Sequence, residues 1–325
     1  MDEKKILMHC EGLVKEFPVK RKKVVHAVSG IDLDIYEGEA LALVGESGCG
    51  KSTLGRTLIQ LHKPTAGKVF FRGEEISAMK PREFAPFRRE MQLVFQDPYA
   101  SLDPRMTVRD IIAEPLRTFK VCPDKESTTE RVLEIMNAVG VPADFLYRYP
   151  HQFSGGQRQR IGIARAIALK PALIICDEPV SALDVSVQSQ VLNLLKDLQE
   201  KLGLTYLFIS HDLSVVRFIS DRICVMFLGK VCEIGASEGI YENPMHPYTR
   251  FLINAIPLPD PKLREEEKPL MQGELPSPID PPAGCRFNTR CPYATERCRT
   301  EEPALRDING RKVACHLAGT DALER

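Results

Sequence analysis

Short apolar runs alternate with helical patterns along most of the chain. The runs have the length of buried strands, and the helical patterns place apolar residues three or four positions apart. The strand-like runs are residues 40–44, 91–95, 173–176, 205–210 and 223–227. This alternation is typical of an α/β domain with a largely parallel central sheet.

The strand-like runs stop between Asp97 and Pro150. Residues 107–118 and 127–139 show helical spacing instead, which predicts a helical subdomain inserted at about residues 97–165. Further along, residues 186–202 predict a helix that packs into the core and ends at Gly203, because glycine commonly terminates helices.

The composition changes after residue 256. Eight prolines lie between Pro257 and Pro282, a density that neither a helix nor a central strand tolerates. We therefore predict one large domain over residues 1–256. A proline-rich linker and a small cysteine-containing C-terminal domain are predicted over residues 257–325.

The overall composition excludes several classes of protein. The 325 residues are 43% hydrophobic, which is ample for a buried core. Lys and Arg together number 44, as do Asp and Glu, so a net charge of zero gives no global electrostatic case for nucleic acid. There is no apolar stretch of about 18 residues that could span a bilayer, and the first residues lack the apolar segment of a secretory signal. We expect a soluble, intracellular protein whose ten cysteines are reduced thiols or metal ligands.

A glycine-rich segment follows the first buried run. Gly45-Glu-Ser-Gly-Cys-Gly-Lys51-Ser52 fits the pattern G-x-x-x-x-G-K-[ST], with a helix predicted behind it at residues 53–62. In such a loop the backbone N–H groups surround phosphates, the lysine reaches the β- and γ-phosphates, and the serine hydroxyl binds Mg²⁺. We interpret the cysteine within it as a small spacer. The residues predicted to contact ATP here are Gly45, Glu46, Ser47, Gly48, Cys49, Gly50, Lys51, Ser52 and Thr53.

A second buried run ends in two carboxylates, Asp177 and Glu178. The carboxyl ends of strands are where open α/β sheets bind ligands. We predict that Asp177 holds Mg²⁺ and that Glu178 accepts a proton from the water that attacks the γ-phosphate.

The segment Phe153-Ser154-Gly155-Gly156-Gln157 precedes an amphipathic helix predicted over residues 158–169. Ser154 is a favourable N-cap, and the two glycines expose N–H groups at the start of the helix, so the segment is suited to bind an anion. It resembles the signature motif of ATP-binding cassette (ABC) proteins. The order of motifs resembles that family too: the phosphate-binding loop, Gln96 after a strand, the signature, Asp177, a D-loop with Ser181 and Asp184, and His211 as the switch histidine.

The resemblance implies a P-loop NTPase core with a largely parallel sheet, an antiparallel β portion and an inserted helical subdomain. It also implies two cassettes packed head to tail around two ATP molecules, with Ser154, Gly155, Gly156 and Gln157 facing the ATP of the partner. Gln96 would sense Mg²⁺ or the attacking water, and His211 would polarise the γ-phosphate. The implied Mg²⁺ ligands are Ser52, Gln96 and Asp177.

Adenine recognition is the least defined part of the nucleotide site. The family stacks an aromatic residue on the base, and Phe17 is the best match, with His26 as a fallback. The basic run at residues 20–23 is interpreted as a solvated turn.

Two further stretches resemble the ATPase subunits of oligopeptide and dipeptide importers, the first of them the F-type subunit. They are Gln96-Asp-Pro-Tyr-Ala-Ser-Leu-Asp-Pro-Arg105 and Glu242-Asn-Pro-Met-His-Pro-Tyr-Thr249. The implied partners are a second ATPase subunit, two permease subunits and, indirectly, an extracellular or periplasmic binding protein. The implied location is the cytoplasmic face of the membrane. Nickel or oligosaccharide cargo is one alternative, and a non-transport cassette that acts on nucleic acid or ribosomes is another.

The tail contains four cysteines: Cys285, Cys291, Cys298 and Cys315. Their thiolates could bind one metal or an iron–sulfur cluster, and the tight cysteine pair typical of structural zinc sites is absent. Because some peptide-importer ATPases carry a [4Fe–4S] cluster at this place, the resemblance favours a cluster over zinc or plain thiols. The remaining six cysteines are expected to be small core residues.

Overall fold

The computed structural model describes residues 5–19, 23–256 and 273–320. Its strands are β1 (Ile6–Pro18), β2 (Val24–Tyr36), β3 (Ala40–Val44), β4 (Ala66–Phe71), β5 (Glu74–Glu75), β6 (Met91–Val94), β7 (Leu173–Asp177), β8 (Thr205–Ser210), β9 (Arg222–Phe227), β10 (Lys230–Ala236), β11 (Arg306–Ile308) and β12 (Arg311–Val313). Its helices are α1 (Lys51–Leu58), α2 (Pro81–Phe84), α3 (Phe87–Glu90), α4 (Val108–Thr118), α5 (Lys125–Ala138), α6 (Gly155–Ile167), α7 (Val185–Leu202), α8 (Leu213–Ile219), α9 (Ser237–Glu242), α10 (Pro247–Asn254) and α11 (Glu296–Thr300).

The described residues form two compact units. The first unit consists mainly of Met79–Ile209 together with Tyr36–Glu39, and the second of Ile6–Ile35, Ala40–Ala78 and the residues from Ser210 onward. Across the described ranges, no helix has the length and apolar character that crossing a lipid bilayer requires.

The first unit joins three parallel strands to a group of helices. β7 pairs in parallel with β6 and with β8, and its five residues are all buried. Helices α4, α5 and α6 contact one another. Thr107 and Asp124 cap α4 and α5 by accepting hydrogen bonds from the backbone N–H groups of Asp110 and Ser127. Helices α4 and α5 thus lie in the range predicted to be helical, and the bounds of the helical subdomain stay a prediction.

The second unit contains most of the antiparallel structure. β1, β2, β4 and β5 form one sheet in the order β2-β1-β4-β5. In another sheet β9 pairs in parallel with β3 and antiparallel with β10, which pairs in turn with β12. β3 is completely buried, so the loop that follows it starts from a rigid element.

The described part of the tail shares the core of the second unit. Phe287 is 1% exposed, and its ring centroid lies 5.3 Å from those of Phe227 and Tyr248. Tail strand β12 extends the sheet through its pairing with β10. The described tail thus packs on the core of the second unit, and its division from residues 1–256 as a domain stays a prediction. Most of the predicted linker, residues 257–272, lies outside the described residues.

His246 shows how tightly this core is closed. Its ring is completely buried, and its Nδ1 accepts a hydrogen bond from the backbone N–H of Tyr248 at 3.0 Å. Burial lowers the pKa of His246 to about 3. The imidazole is therefore neutral at physiological pH and serves as a helix cap for α10.

Candidate active site

The phosphate-binding loop between β3 and α1 lies very close to other backbones of the second unit. Gly45 has φ +153° and Gly50 has φ +105°. A Cβ atom on Gly45 would overlap the carbonyl oxygen of Met226, and one on Gly50 would overlap that of Ala27. Both positions therefore require glycine, for backbone conformation as well as for space.

Lys51 is 4% exposed and turns back over the loop. Its Nζ donates to the carbonyl oxygens of Gly45 at 2.7 Å and Glu46 at 3.0 Å. The ammonium group thus lies beside the loop backbone, where it would meet a phosphate held by the loop N–H groups.

The remaining loop residues divide into an exposed tip and a packed base. Ser47 and Gly48 are exposed, while Ser52 and Thr53 are half-buried in the first turn of α1. Cys49 is 1% exposed, burial raises the pKa of its thiol, and its carbonyl oxygen accepts a hydrogen bond from Gly229 at 2.8 Å. This packing agrees with the interpretation of Cys49 as a spacer.

In the first unit, Gln96 and Glu178 are in direct contact. Gln96 Nε2 donates to Glu178 Oε2 at 2.8 Å. They follow the neighbouring parallel strands β6 and β7, in which Val94 is paired with Cys176. Eighty-two positions separate the two residues along the chain, so the parallel pairing brings the predicted sensor and the predicted base together.

The two carboxylates at the end of β7 have different environments. Asp177 is 0% exposed, whereas Glu178 is half-buried. Glu178 has φ +47°, a left-handed conformation that costs free energy in a residue with a side chain. Its backbone N–H donates to Ile209 at 3.0 Å, which fixes this conformation to β8.

The predicted D-loop folds back onto Glu178. The hydroxyl of Ser181 donates to the carbonyl oxygen of Glu178 at 3.1 Å, and its backbone N–H donates to the same oxygen at 3.3 Å. Asp184 is the N-cap residue of α7, although its side chain makes no capping hydrogen bond.

The signature segment forms a capping box at the start of α6. The hydroxyl of Ser154 accepts from the backbone N–H of Gln157, whose side-chain oxygen accepts in turn from the N–H of Ser154. A Cβ on Gly156 would overlap Cγ1 of Val187, and one on Gly155 would lie 3.2 Å from Leu183. The glycines therefore also let the helix start pack against the α7 region.

The two adenine-binding candidates, Phe17 and His26, contact other side chains of the second unit. The ring of Phe17 is half-buried, meets His62 edge-on at 5.4 Å, and has the Nζ of Lys15 4.9 Å from its centroid. His26 forms an ion pair or hydrogen bond with Glu16 at 2.7 Å. Of the basic run, residues 20–22 lie outside the described residues. Neither assignment is tested by these contacts.

His211 is exposed and directly follows β8. The next residue, Asp212, caps α8 by accepting from the backbone N–H of Ser214 at 2.8 Å. The position at a strand end agrees with the prediction, and the role of His211 stays a prediction.

The four tail cysteines interact electrostatically with one another. Burial, followed by the thiols of Cys315 and Cys298, raises the pKa of Cys285 to about 11. Burial, together with Cys285, Cys315 and Cys298, raises the pKa of Cys291 to about 12. Burial and Cys298 also raise the pKa of Cys315. At Cys285, Cys291 and Cys315 the neutral thiol is therefore favoured.

The metal prediction for the tail is not supported by this geometry. Within the described ranges, no three His, Cys, Asp or Glu side chains are grouped so that they could hold a metal ion. Cys285 and Cys291 pack against the apolar core of the second unit, and Cys298 Sγ lies 3.3 Å from the hydroxyl of Thr295. The thiols are neighbours, but the structure does not direct them at a common ion.

Two residues for which we predicted no role also contact the loop. The Tyr248 hydroxyl accepts from the N–H of Glu46, and Arg290 donates to its carboxylate. Tyr248 occurs in one of the importer-like stretches, whereas nothing in the sequence distinguishes Arg290 from the other arginines of the chain.

Comparisons with known proteins agree with this site. The family described as ABC transporter matches residues 28–181, and the oligopeptide/dipeptide transporter C-terminal region matches residues 232–298. The chain is 54% identical over 313 residues to the putative oligopeptide transport ATP-binding protein YkfD of Bacillus subtilis, covering 96% of this chain and 95% of that protein. It is 51% identical over 321 residues to the oligopeptide transport ATP-binding protein OppF of Escherichia coli, with 96% of each chain covered.

Solved structures of ABC cassettes are similar to this chain in fold. The dimeric ATP-binding cassette MJ0796, in a post-hydrolysis state bound to ADP and Pi, matches with a TM-score of 0.65 and 32% identity, covering 71% of this chain and 99% of that one. The protein cbiO1 from Clostridium perfringens, part of the ABC transporter complex cbiONQ, matches with a TM-score of 0.65 and 26% identity, covering 74% and 92%.

Replacing Gly156 by alanine should destabilise the first unit, because the new methyl group overlaps Val187, whose branched side chain has little rotamer freedom in a helix. We expect the free energy of unfolding to fall by about 1–3 kcal/mol. Gly162→Ala on the same helix is the matched control, since a Cβ there meets nothing within 4 Å, and it should gain about 0.5–1 kcal/mol. Urea unfolding followed by circular dichroism measures both, and equal stability of the two variants would contradict the contact.

Proposed function

The chain belongs to the ABC transporter family and is an ATPase of that family, and from this premise we propose that it powers an importer of oligopeptides or dipeptides. The observation that carries the catalytic part is the hydrogen bond between Gln96 and Glu178 beside the buried Asp177. The cargo is inferred from the match of residues 232–298 to the peptide-transporter C-terminal region and from the names of the relatives.

Glu178 is the proposed general base. The amide of Gln96 orients its carboxylate, and the hydrogen bond to Ile209 fixes its left-handed backbone. A positioned carboxylate can take a proton from water as that water attacks the γ-phosphate. His211 is proposed to polarise the same phosphate.

The proposed Mg²⁺ ligands all offer oxygen donors, the ligand type that this ion prefers. They are the hydroxyl of Ser52 and the side chains of Gln96 and Asp177. When bound, Mg²⁺ would neutralise charge on the β- and γ-phosphates. Lys51 is proposed to bind the same phosphates, and Phe17 to stack on adenine.

The signature segment is the proposed second half of a shared site. Its capping box fixes the start of α6, where backbone N–H groups and the helix dipole favour an anion. Because this chain has its own phosphate-binding loop, that anion is assigned to the ATP of a second cassette. The D-loop residues Ser181 and Asp184 are proposed to face the same partner.

We propose that the protein acts at the cytoplasmic face of the membrane, bound to two permease subunits. In the first unit, large rings of the helical subdomain are exposed, with Tyr147 at 69% and Tyr99 at 63%. Exposed aromatic rings are typical of protein interfaces. A binding protein on the other side of the membrane would supply the cargo. The division of the chain at residue 256 into cassette and tail also stays a proposal.

A cassette acting on nucleic acid or ribosomes is not favoured, since the family matches and the relatives named above are transport proteins. Nickel or oligosaccharide cargo is likewise not favoured, because the matched C-terminal region and the named relatives are described for oligopeptide transport.

A [4Fe–4S] cluster on Cys285, Cys291, Cys298 and Cys315 is kept as a proposal. In a cluster with four cysteine ligands each thiolate binds a different iron atom, so its ligands stand further apart than those of one metal ion. What supports this set is that three of its members, Cys285, Cys291 and Cys298, lie within residues 232–298, which match the oligopeptide/dipeptide transporter C-terminal region.

Glu178→Gln should bind ATP with an affinity within about threefold of the wild type, because the glutamine oxygen still accepts the hydrogen bond from Gln96. Hydrolysis should fall at least about 100-fold, since the base is lost, and the ATP-bound protein should accumulate as a closed dimer. Lys51→Ala should instead weaken nucleotide binding itself. Equilibrium binding, phosphate release and gel filtration measure these effects. Wild-type hydrolysis by Glu178→Gln would refute the assignment of the base.

The cargo is tested by deleting the gene in its host and following uptake of labelled oligopeptides and of nickel ions. We expect peptide uptake to be lost, and to be restored by the wild-type gene but not by the Glu178→Gln gene. Unchanged peptide uptake with impaired nickel uptake would assign the chain to the alternative.

The cluster is tested by purifying the protein without oxygen, followed by iron analysis and a visible absorption spectrum. We expect about four irons per chain, with loss of colour in Cys291→Ser. Cys122→Ser is the control, because that half-buried cysteine lies outside the tail. A colourless, iron-free wild type would show that the four residues are plain thiols.

A further inference from the structure

Glu46, the second residue of the phosphate-binding loop, is held at each of its three polar groups. Its backbone N–H donates to the hydroxyl of Tyr248 at 2.9 Å. Its carboxylate accepts from a terminal guanidinium nitrogen of Arg290 at 2.7 Å. Its carbonyl oxygen accepts from Nζ of Lys51 at 3.0 Å. The residue that fixes the lysine is therefore itself fixed by α10 and by the tail.

The ion pair between Arg290 and Glu46 is largely withdrawn from water. The side chain of Arg290 is 9% exposed and that of Glu46 is 27% exposed. The guanidinium carbon also lies 5.9 Å from the ring centroid of Phe227. Removing one member of such a pair leaves the other charge partly buried without its partner, which is costly.

Arg290 has few other ways to satisfy its charge. Among the described residues, its Nε has no hydrogen-bond partner. The carboxylate of Glu46 accepts from the guanidinium group, and the two side chains hold each other in place.

The same tail turn is anchored in the core and contains one of the four cysteines. The backbone N–H groups of Arg290 and Cys291 both donate to the carbonyl oxygen of Phe287 at 3.0 Å. Phe287 is 1% exposed and packs on Phe227 and Tyr248. Because Cys291 is the next residue after Arg290, the ion pair and one of the four cysteines belong to the same anchored turn.

We propose that Arg290 and Tyr248 are positioning residues for nucleotide binding, which act on Lys51 through Glu46 and couple the loop to the cysteine segment of the tail. The inference rests on the proposed function in one respect, namely that this loop binds ATP. Coupling of this kind is reciprocal, so ATP in the loop alters the tail by the same factor as the tail alters ATP affinity.

Equilibrium binding of Mg²⁺-ATP to Arg290→Gln, Glu46→Gln and the double variant tests the coupling. Each single change should weaken binding by about 5- to 50-fold, in the range of typical coupling between sites. The double variant should bind ATP no more weakly than the single variant with the lower affinity, because both changes break the same contact. Arg290→Lys should recover part of the loss.

The matched control is Arg297→Gln. Arg297 and Glu301 also pair at 2.7 Å in the tail, but their side chains are 64% and 59% exposed. An exposed pair contributes little, so ATP affinity should stay within about twofold of the wild type. Thermal unfolding of every variant separates loss of binding from loss of folding.

Hydrogen exchange of the tail gives a readout that a purely structural role would not change. Saturating Mg²⁺-ATP should slow amide exchange in peptides covering residues 284–300 of the wild type, and should leave the same peptides of Arg290→Gln unchanged. This measurement uses the protein as purified and does not depend on whether its cysteines bind a cluster.

The outcomes separate this inference from the proposed function. A wild type that fails to bind ATP would overturn the proposed function. A wild type that binds ATP, with Arg290→Gln and Glu46→Gln binding as tightly as Arg297→Gln and with tail exchange insensitive to ATP, would overturn the coupling and leave the proposed function standing.

Discussion

The phosphate-binding loop is set by the two backbones against which it lies. Gly45 faces a carbonyl oxygen of β9, and Gly50 faces one of β2, with no room for a side chain at either place. Because Gly50 takes a left-handed conformation as the N-cap of α1, the helix begins at Lys51 and the ammonium returns over the loop. The positions of the lysine, of the helix start and of the loop N–H groups all follow from the close contact of the loop with β9 and β2.

Two carboxylates near the predicted chemistry are each oriented by a side chain that is distant in sequence. Glu178 accepts from Gln96 across two parallel strands, and Glu46 accepts from Arg290, 244 positions away. Both depend on strand or core packing for their geometry, so each site is only as rigid as the fold behind it. In both cases a charged group is held before any substrate binds, which lowers the reorganisation that binding or catalysis requires.

The sequence predicted the buried parallel strands well. β3 and β8 have the predicted bounds, and α7 ends at Gly203 as expected, in a left-handed conformation. The helix α6 begins at Gly155 rather than at residue 158, because Ser154 caps it earlier than its apolar spacing indicates. The strands of the antiparallel sheet were not located individually. In β1 a register shift between Glu11 and Val14 interrupts the alternation on which such a prediction depends.

The residues of the candidate site that belong to short sequence motifs were predicted. The residues that reach the site only through tertiary contacts were missed. The glycines, Lys51 and the two carboxylates after β7 belong to short patterns with a mechanical reason for each residue. Arg290 has no such pattern, since its role depends on the burial of Phe287 between Phe227 and Tyr248, which brings the tail turn to the loop. The core that contains Phe287 therefore supports both the loop and the tail turn with Cys285 and Cys291, whereas Cys315 belongs to a second, small apolar cluster. Because Phe287 packs in the core of the second unit and its carbonyl oxygen holds the turn that carries Arg290, a change in the packing of Phe287 would disturb the ion pair with Glu46.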